Sequence, residues 1–145
     1  MKTFTDNSDR TWTIHVHVES IKRVRSLCNV DLLKVVEGTL LMELANDPIL
    51  LCEVLYALCH EEAKAKSVSD VDFGKAMAGD AIERATEALL REIFDFFPPA
   101  KRDVLLRLEE KHKQMQQKMV EVAIKRLESP ELMKKIESLL EKSGN

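Results

Sequence analysis

The fold is decided by residues 47–59, which read DPILLCEVLYALC. Asp47 can accept hydrogen bonds from the free amides of a first helical turn, and Pro48 suits the first helical position because no backbone donor is needed there. Apolar residues then dominate up to Cys59, so the helix needs cover on most sides. The apolar run from Ile49 is well short of the about 20 residues that span a membrane. The stretch therefore predicts a helix whose first half lies inside a folded body.

Before this helix, the apolar period changes from that of a strand to that of a helix. Phe4, turn-forming residues at 6–10 and an alternating arm predict a β-hairpin, the arm being Trp12, Ile14, Val16 and Val18. Helical spacing follows from Ser20, with one apolar side formed by Ile21, Val24, Leu27 and Cys28. Asn29 or Asp31 can then cap a single core helix with apolar positions Leu32, Val35, Val36, Leu40, Leu41 and Leu44.

The helix that begins at Pro48 is expected to reach about Lys66. After it, the sequence contains further start and stop signals. Ser69 and Asp72 resemble a capping box, and Gly79-Asp80 predicts a break before a helix from Ala81 to Phe97. Pro98-Pro99 ends the predicted body, which spans residues 1–98. Trp12 and the Phe94, Phe96 and Phe97 cluster are interpreted as core residues.

Residues 99–145 are predicted to form a helical C-terminal extension. An unbroken helical pattern runs from Ala100 to about Ser129, a length of about 45 Å, and Pro130 starts a last short helix. A 145-residue globule is roughly 38 Å across, so we expect this helix to extend beyond its own domain. The predicted fold class is mainly α: a small N-terminal β-hairpin, a helical bundle body, a long C-terminal helix and a short terminal helix.

The long helix contains a coiled-coil-like seam. Its apolar positions recur in alternating steps of three and four: Leu105, Leu108, His112, Met115, Met119 and Val122. Packing within the chain would explain this spacing, and so would a second copy or another protein. We take the six residues as candidates for partner binding or self-association and expect a homo-oligomer.

Composition excludes several kinds of chemistry. The chain has 145 residues and a net charge of −3, from 22 basic and 25 acidic residues. Its 4 glycines do not form the glycine-rich loops that cradle nucleotide phosphates. Charge is uneven along the chain: residues 31–97 carry 6 basic and 14 acidic groups, hence −8, whereas residues 98–145 carry 11 and 8, hence +3.

No group of residues predicts catalysis or a bound cofactor. His15 and His17 share a strand face but lack a third metal ligand, and His60-Glu61-Glu62 is followed by Lys64 where a zinc-protease motif needs histidine. The three cysteines, Cys28, Cys52 and Cys59, lack paired spacing and predict reduced buried thiols. We therefore expect a non-enzyme with no catalytic, cofactor-binding or metal site.

The basic residues near the N-terminus do not indicate nucleic-acid binding. Lys22, Arg23 and Arg25 form a small patch without interleaved aromatics on an acidic chain, which favours a solvated or partner-facing surface. The first residues lack the apolar core of a signal peptide. We therefore expect a cytoplasmic protein that contacts neither membrane nor nucleic acid.

The order and spacing of several short motifs resemble the tail assembly chaperones of long-tailed bacteriophages. The resemblance covers about residues 12–98 and is carried by Thr11-Trp12-Thr13-Ile14, Ile21-Lys22-Arg23-Val24-Arg25, Val30-Asp31-Leu32-Leu33, Leu44-Ala45-Asn46-Asp47-Pro48, Val54-Leu55-Tyr56-Ala57-Leu58, Asp72-Phe73, Ala78-Gly79-Asp80-Ala81-Ile82 and Phe96-Phe97-Pro98. No family pattern is present beyond Pro99. We therefore expect the extension to be an addition of this chain to the family pattern.

The resemblance implies a non-catalytic chaperone of virion morphogenesis. Such a protein binds the helical tape measure protein while the tail tube, built from the major tail protein, polymerises around it in the host cytoplasm. We would not expect it in the mature virion. Family members commonly self-associate, and a longer form is often made by ribosomal frameshifting. Two alternatives are an unrelated helical oligomerisation or adaptor module, and a small DNA-binding regulator that uses the basic patch.

Overall fold

The computed structural model describes residues 1–143, and the fold is mainly α, with 76% of residues in helices. Two antiparallel strands come first, β1 (Lys2–Thr5) and β2 (Thr11–Ile14). The body continues with α1 (Val18–Cys28), a 3-10 helix (Leu32–Glu37), α2 (Thr39–Asn46), α3 (Pro48–Leu58), α4 (His60–Ala65), α5 (Asp70–Lys75) and α6 (Asp80–Phe96). The last helices are α7 (Pro99–Leu127) and α8 (Pro130–Ser143). The predicted fold class, including the hairpin and both C-terminal helices, is confirmed.

The chain forms two compact units, Met1–Leu108 and Glu109–Asn145, which we name the body and the C-terminal unit. Pro99 begins α7, as the proline pair indicates, but the body continues into that helix as far as Leu108. The reason is packing: Leu105 is fully buried in the body's core, and Leu108 packs against it. The body is therefore ten residues longer than the predicted span of 1–98.

The hairpin is held to the helices by its buried side chains. Phe4 pairs with Trp12 across the strands, and both side chains are buried. β1 packs against α6, where the buried Glu92 carboxylate accepts a hydrogen bond from the Val16 amide at 3.3 Å. The Trp12 ring meets Phe73 edge-on, with centroids 5.0 Å apart. Trp12 thus anchors the hairpin to the core, as predicted.

Asp6 organises the hairpin turn. Its carboxylate is buried and accepts hydrogen bonds from the backbone amides of Ser8 (2.9 Å) and Arg10 (3.0 Å) and from Trp12 Nε1 (2.9 Å). The Arg10 guanidinium lies 3.3 Å from the same carboxylate. Burial acts to raise the pKa of Asp6, but these hydrogen bonds and the Arg10 charge outweigh it and lower the pKa below its usual value. The group is therefore ionised at neutral pH.

The second strand ends earlier than predicted. β2 stops at Ile14, and Val18 is exposed as the first residue of α1 instead of lying in the strand. The cause is a helix cap, because His17 Nδ1 accepts a hydrogen bond from the Ser20 amide at 3.2 Å while the His17 amide donates to Ser20 Oγ. This reciprocal capping box starts the helix.

Two helices predicted as continuous are each divided. The helix expected from Leu32 to Leu44 is a 3-10 helix, capped by Asp31, followed by α2, and Gly38 with φ +90° separates them. The helix expected to reach Lys66 breaks at Cys59 into α3 and α4. Glycine adopts the positive φ that few other residues tolerate, which explains the first break.

Other predicted boundaries are confirmed. Asp47 Oδ1 accepts from the amides of Ile49 (3.0 Å) and Leu50 (3.2 Å), so it caps α3, and Ser69 Oγ caps α5 by accepting from the Asp72 amide at 3.1 Å. At the other end of the body, Arg102 on α7 donates to the carbonyls of the last turn of α6, namely those of Phe94, Asp95 and Phe97. These carbonyls lack helical partners, so Arg102 satisfies them.

Candidate partner-binding surfaces

The six predicted seam residues fall in two different environments. Leu105 is fully buried and Leu108 half-buried, and both belong to the body's core. His112 is half-buried, whereas the remaining three side chains are exposed: Met115, Met119 and Val122. The first part of the seam is therefore used within the chain, and the rest is open to solvent.

The C-terminal unit exposes far more apolar surface than these three residues. Leu132 is half-buried, but ten other large apolar side chains of this unit are between 38% and 66% exposed: Met115, Met119, Val120, Val122, Ile124, Leu127, Met133, Ile136, Leu139 and Leu140. No residue of α8 is buried within the part of the chain that the structure describes. An amphipathic helix in water normally buries its apolar face. This group, which we name the apolar rows, therefore indicates a surface for a partner.

A notch of about 570 Å³ lies between the end of α7 and the start of α8. Ser129 shapes the joint, because its hydroxyl accepts from the Leu132 amide (3.3 Å) and donates to the Arg126 carbonyl (2.8 Å). The notch is lined by Lys118, Met119, Val122, Ala123, Arg126, Leu127 and Leu132. Sequence periodicity identified Met119 and Val122 but not the notch, which depends on the angle at the joint.

The body has a separate groove of about 780 Å³, lined mainly by residues of α1 and α3, with further residues from α4, α5 and α6. Leu27 and Ile49 at this groove are 60% and 72% exposed. The prediction that Leu27 lies on the buried side of α1 is therefore wrong. The groove also includes Cys28, Cys52, Tyr56 and Met77. Its lining residues lie on five helices that are spread along the chain, so the sequence pattern does not predict it.

The thiols in the body do not support cysteine chemistry. All three cysteines are free, and Cys59 is buried, whereas Cys28 and Cys52 are only half-buried. Burial raises the pKa of Cys28 and Cys52, the Glu53 carboxylate raises that of Cys28 further, and burial raises the pKa of Cys59 to about 12. Nucleophilic and metal-binding cysteines react as thiolates. These thiols stay protonated at neutral pH.

The histidines and acids singled out in the sequence have structural roles in the body. The His15 and His17 rings stack edge to face, 4.7 Å apart, and His17 caps α1. Glu62 Oε1 accepts from the Thr13 amide at 2.8 Å and so ties α4 to β2. Residues 1–143 contain no group of three or more His, Cys, Asp or Glu side chains that could bind a metal ion.

The N-terminal basic patch is partly neutralised. Arg25 forms an ion pair with Asp31, whose carboxylate lies 2.9 Å from the Arg25 guanidinium. Lys22 and Arg25 are exposed on α1, and Arg23 is half-buried. One of the three charges is thus already matched within the body.

Comparisons with protein-family models, with curated proteins and with solved structures each find no match to this chain. Within the described residues, no helix is both long and apolar enough to cross a membrane.

Proposed function

We propose that this protein is a non-catalytic chaperone of bacteriophage tail assembly that binds the helical tape measure protein and keeps it soluble while the tail tube polymerises. The observation that carries the proposal is the set of apolar rows on α7 and α8. An amphipathic client helix can bury its own apolar face against such rows, in the helix-to-helix mode of peptide recognition. The ordered motifs between residues 12 and 98 give the proposal its phage setting.

Burial of apolar surface, on this chain and on the client helix, drives the proposed binding. Each square ångström of apolar surface removed from water contributes roughly 25 cal/mol, so a client helix gains by covering side chains such as Met115 and Met119. Methionine is unbranched and adapts to differently shaped partners, and Met115, Met119 and Met133 are all exposed. This suits a chaperone that binds several turns of a long helical client.

The test is co-expression with a tape measure protein. The wild-type chain should keep this client in the soluble fraction, whereas a variant with Met115→Lys and Met119→Lys should release it to the pellet, because two charges on the apolar rows oppose burial. A matched control with Gln114→Lys and Gln117→Lys changes two exposed polar residues of the same helix. The proposal is wrong if the client is equally soluble with and without the chain.

We also propose that copies of the chain associate through α8. This helix exposes Met133, Ile136, Leu139 and Leu140, and none of its described residues is buried. Light scattering should show an oligomer that Leu139→Lys together with Leu140→Lys reduces in mass. A monomer at all concentrations would contradict self-association and would leave the client-binding test unaffected.

The proposed place of action is the cytoplasm of the bacterial host, with the major tail protein as a second partner. The chain would then leave before the virion matures. Purified virions should lack it, and this can be checked by mass spectrometry of mature particles.

A further inference from the structure

We infer that the seam on the C-terminal half of α7 selects an acidic amphipathic helix of another protein, one with Asp or Glu beside its apolar stripe at seven-residue spacing. This inference rests on the proposed function and names the chemistry of the client segment. The inference is based on the charged residues that flank the exposed seam. Apolar periodicity alone does not predict a role for them.

One edge of the seam is a row of lysines. In a heptad written from a to g, Met119 occupies position a, and Met115 and Val122 occupy position d. Position g is then lysine three times in succession, and we name Lys111, Lys118 and Lys125 the lysine row. Residues seven apart lie almost one above the other on a helix, about 10.5 Å apart along its axis. The row therefore forms a continuous basic edge.

The lysine row is available to a partner. All three side chains are exposed, and none of them forms an ion pair with another described residue. By contrast, Lys113, at position b on the other side of the helix from the row, lies 3.8 Å from Glu109, one turn away. The row thus differs from the solvated helix surface, where opposite charges pair along the chain.

A second copy of α7 does not match the lysine row. In an antiparallel pair position g faces position g, so lysines would face lysines. In a parallel pair position g faces position e of the next heptad, which here is Gln116 or Ala123, and neither carries a charge. Charges at e and g set partner choice in coiled coils. Both self-pairings leave the row unmatched, whereas an acidic edge on a different helix matches all three lysines.

The experiment uses the full chain and two synthetic 21-residue helical probes with the same leucine seam. One probe carries Glu at every e and g position and the other carries Lys there. Fluorescence anisotropy should show the acidic probe binding about tenfold more tightly at low ionic strength, since several exposed pairs of modest energy add up. The preference should shrink at high salt because the charges are exposed.

Charge reversal of the row gives the decisive comparison. Lys111→Glu, Lys118→Glu and Lys125→Glu together should reverse the preference, so that the basic probe binds more tightly. A matched control with Lys101→Glu, Lys134→Glu and Lys135→Glu changes the net charge equally at three exposed lysines off the row and should retain the acidic preference. Circular dichroism of both variants verifies that helix content is unchanged.

Two results would overturn the inference. One is equal binding of the two probes to the wild-type chain. The other is a chain that binds neither probe and that light scattering shows to be a dimer. If Met119→Lys converts that dimer to a monomer, a second copy occupies the seam. Client solubility separates the two proposals. If the chain keeps the client soluble but binds both probes equally, only this inference is overturned. If the chain prefers the acidic probe but does not keep the client soluble, only the chaperone function is overturned.

Discussion

At the scale of single residues, Asp6 links the hairpin turn to Trp12 through a buried carboxylate. We expect Asp6→Asn to lower the free energy of unfolding by about 1–3 kcal/mol at pH 7, since a charged acceptor of several hydrogen bonds is lost. Because the pKa of Asp6 is lowered in the folded state, its contribution is present above the unfolded pKa of about 3.9 and is lost as pH falls. Urea denaturation at pH 7 and pH 3 measures this.

The control for this prediction is Asp9→Asn in the same turn. Asp9 is exposed and has φ +62°, a conformation that Asn also adopts readily. We expect a change within about 0.5 kcal/mol. An Asp6→Asn deficit that is equally large at pH 3 would contradict the role of the ionised carboxylate.

The cap of α1 shows what residue types alone do not reveal. The alternating pattern continues to Val18 and so predicts a strand that reaches this residue. Histidine is not among the usual capping residues, so nothing in the sequence indicated that His17 would accept from Ser20 and start a helix. Asp47 and Ser69 are usual caps, and their helices were predicted with the correct first turns.

At the scale of elements, two glycines have opposite expected effects. Gly38 separates the 3-10 helix from α2 at φ +90°, so Gly38→Ala should destabilise the body by about 1–2 kcal/mol through backbone strain. The new Cβ itself would only meet Leu108 at 3.8 Å, an ordinary contact. Thermal or urea unfolding monitored by circular dichroism measures the change.

Gly74 provides the matched comparison within α5. A Cβ added there meets no atom within 4 Å, so Gly74→Ala should stabilise the protein by about 0.5–1 kcal/mol through a smaller loss of backbone entropy. If both substitutions shift the unfolding midpoint in the same direction, the backbone explanation for the break at Gly38 is wrong.

The division at Gly38 was not predicted, for a physical reason. Apolar positions continue on both sides of it, from Leu32 to Leu44, and a 3-10 helix followed by an α-helix buries nearly the same set as one long helix. Hydrophobic periodicity therefore does not detect the change of helix type, which follows from the backbone at a single residue.

At the scale of the whole molecule, the two units should differ in local stability. The body buries α3 on several sides, whereas α8 has no buried residue among those described. We expect amide protons of α8 to exchange on the order of a thousandfold faster than those of α3, because exchange follows the local cost of opening. Hydrogen exchange measured by NMR tests this; slow exchange throughout α8 in a dilute sample would contradict it.

The candidate surface could be predicted only in part from the sequence. Periodicity identified Leu105 and Met119 as members of one seam, but it does not say which members the body covers. Leu105 is covered because the first turns of α7 belong to the body's core, which is a matter of tertiary packing. The groove beside Ile49 was missed for the same reason, since helices far apart in sequence form it.

The chain contains a single tryptophan, and the structure places it at the contact between the hairpin and the helices. The Trp12 ring is shielded from solvent, and the Lys66 ammonium lies 4.7 Å from its centroid. Its fluorescence emission will therefore move to longer wavelength when the hairpin detaches, with no signal from other indoles. The protein thus contains its own optical reporter, with which loss of the N-terminal segment can be timed in a stopped-flow instrument without any label.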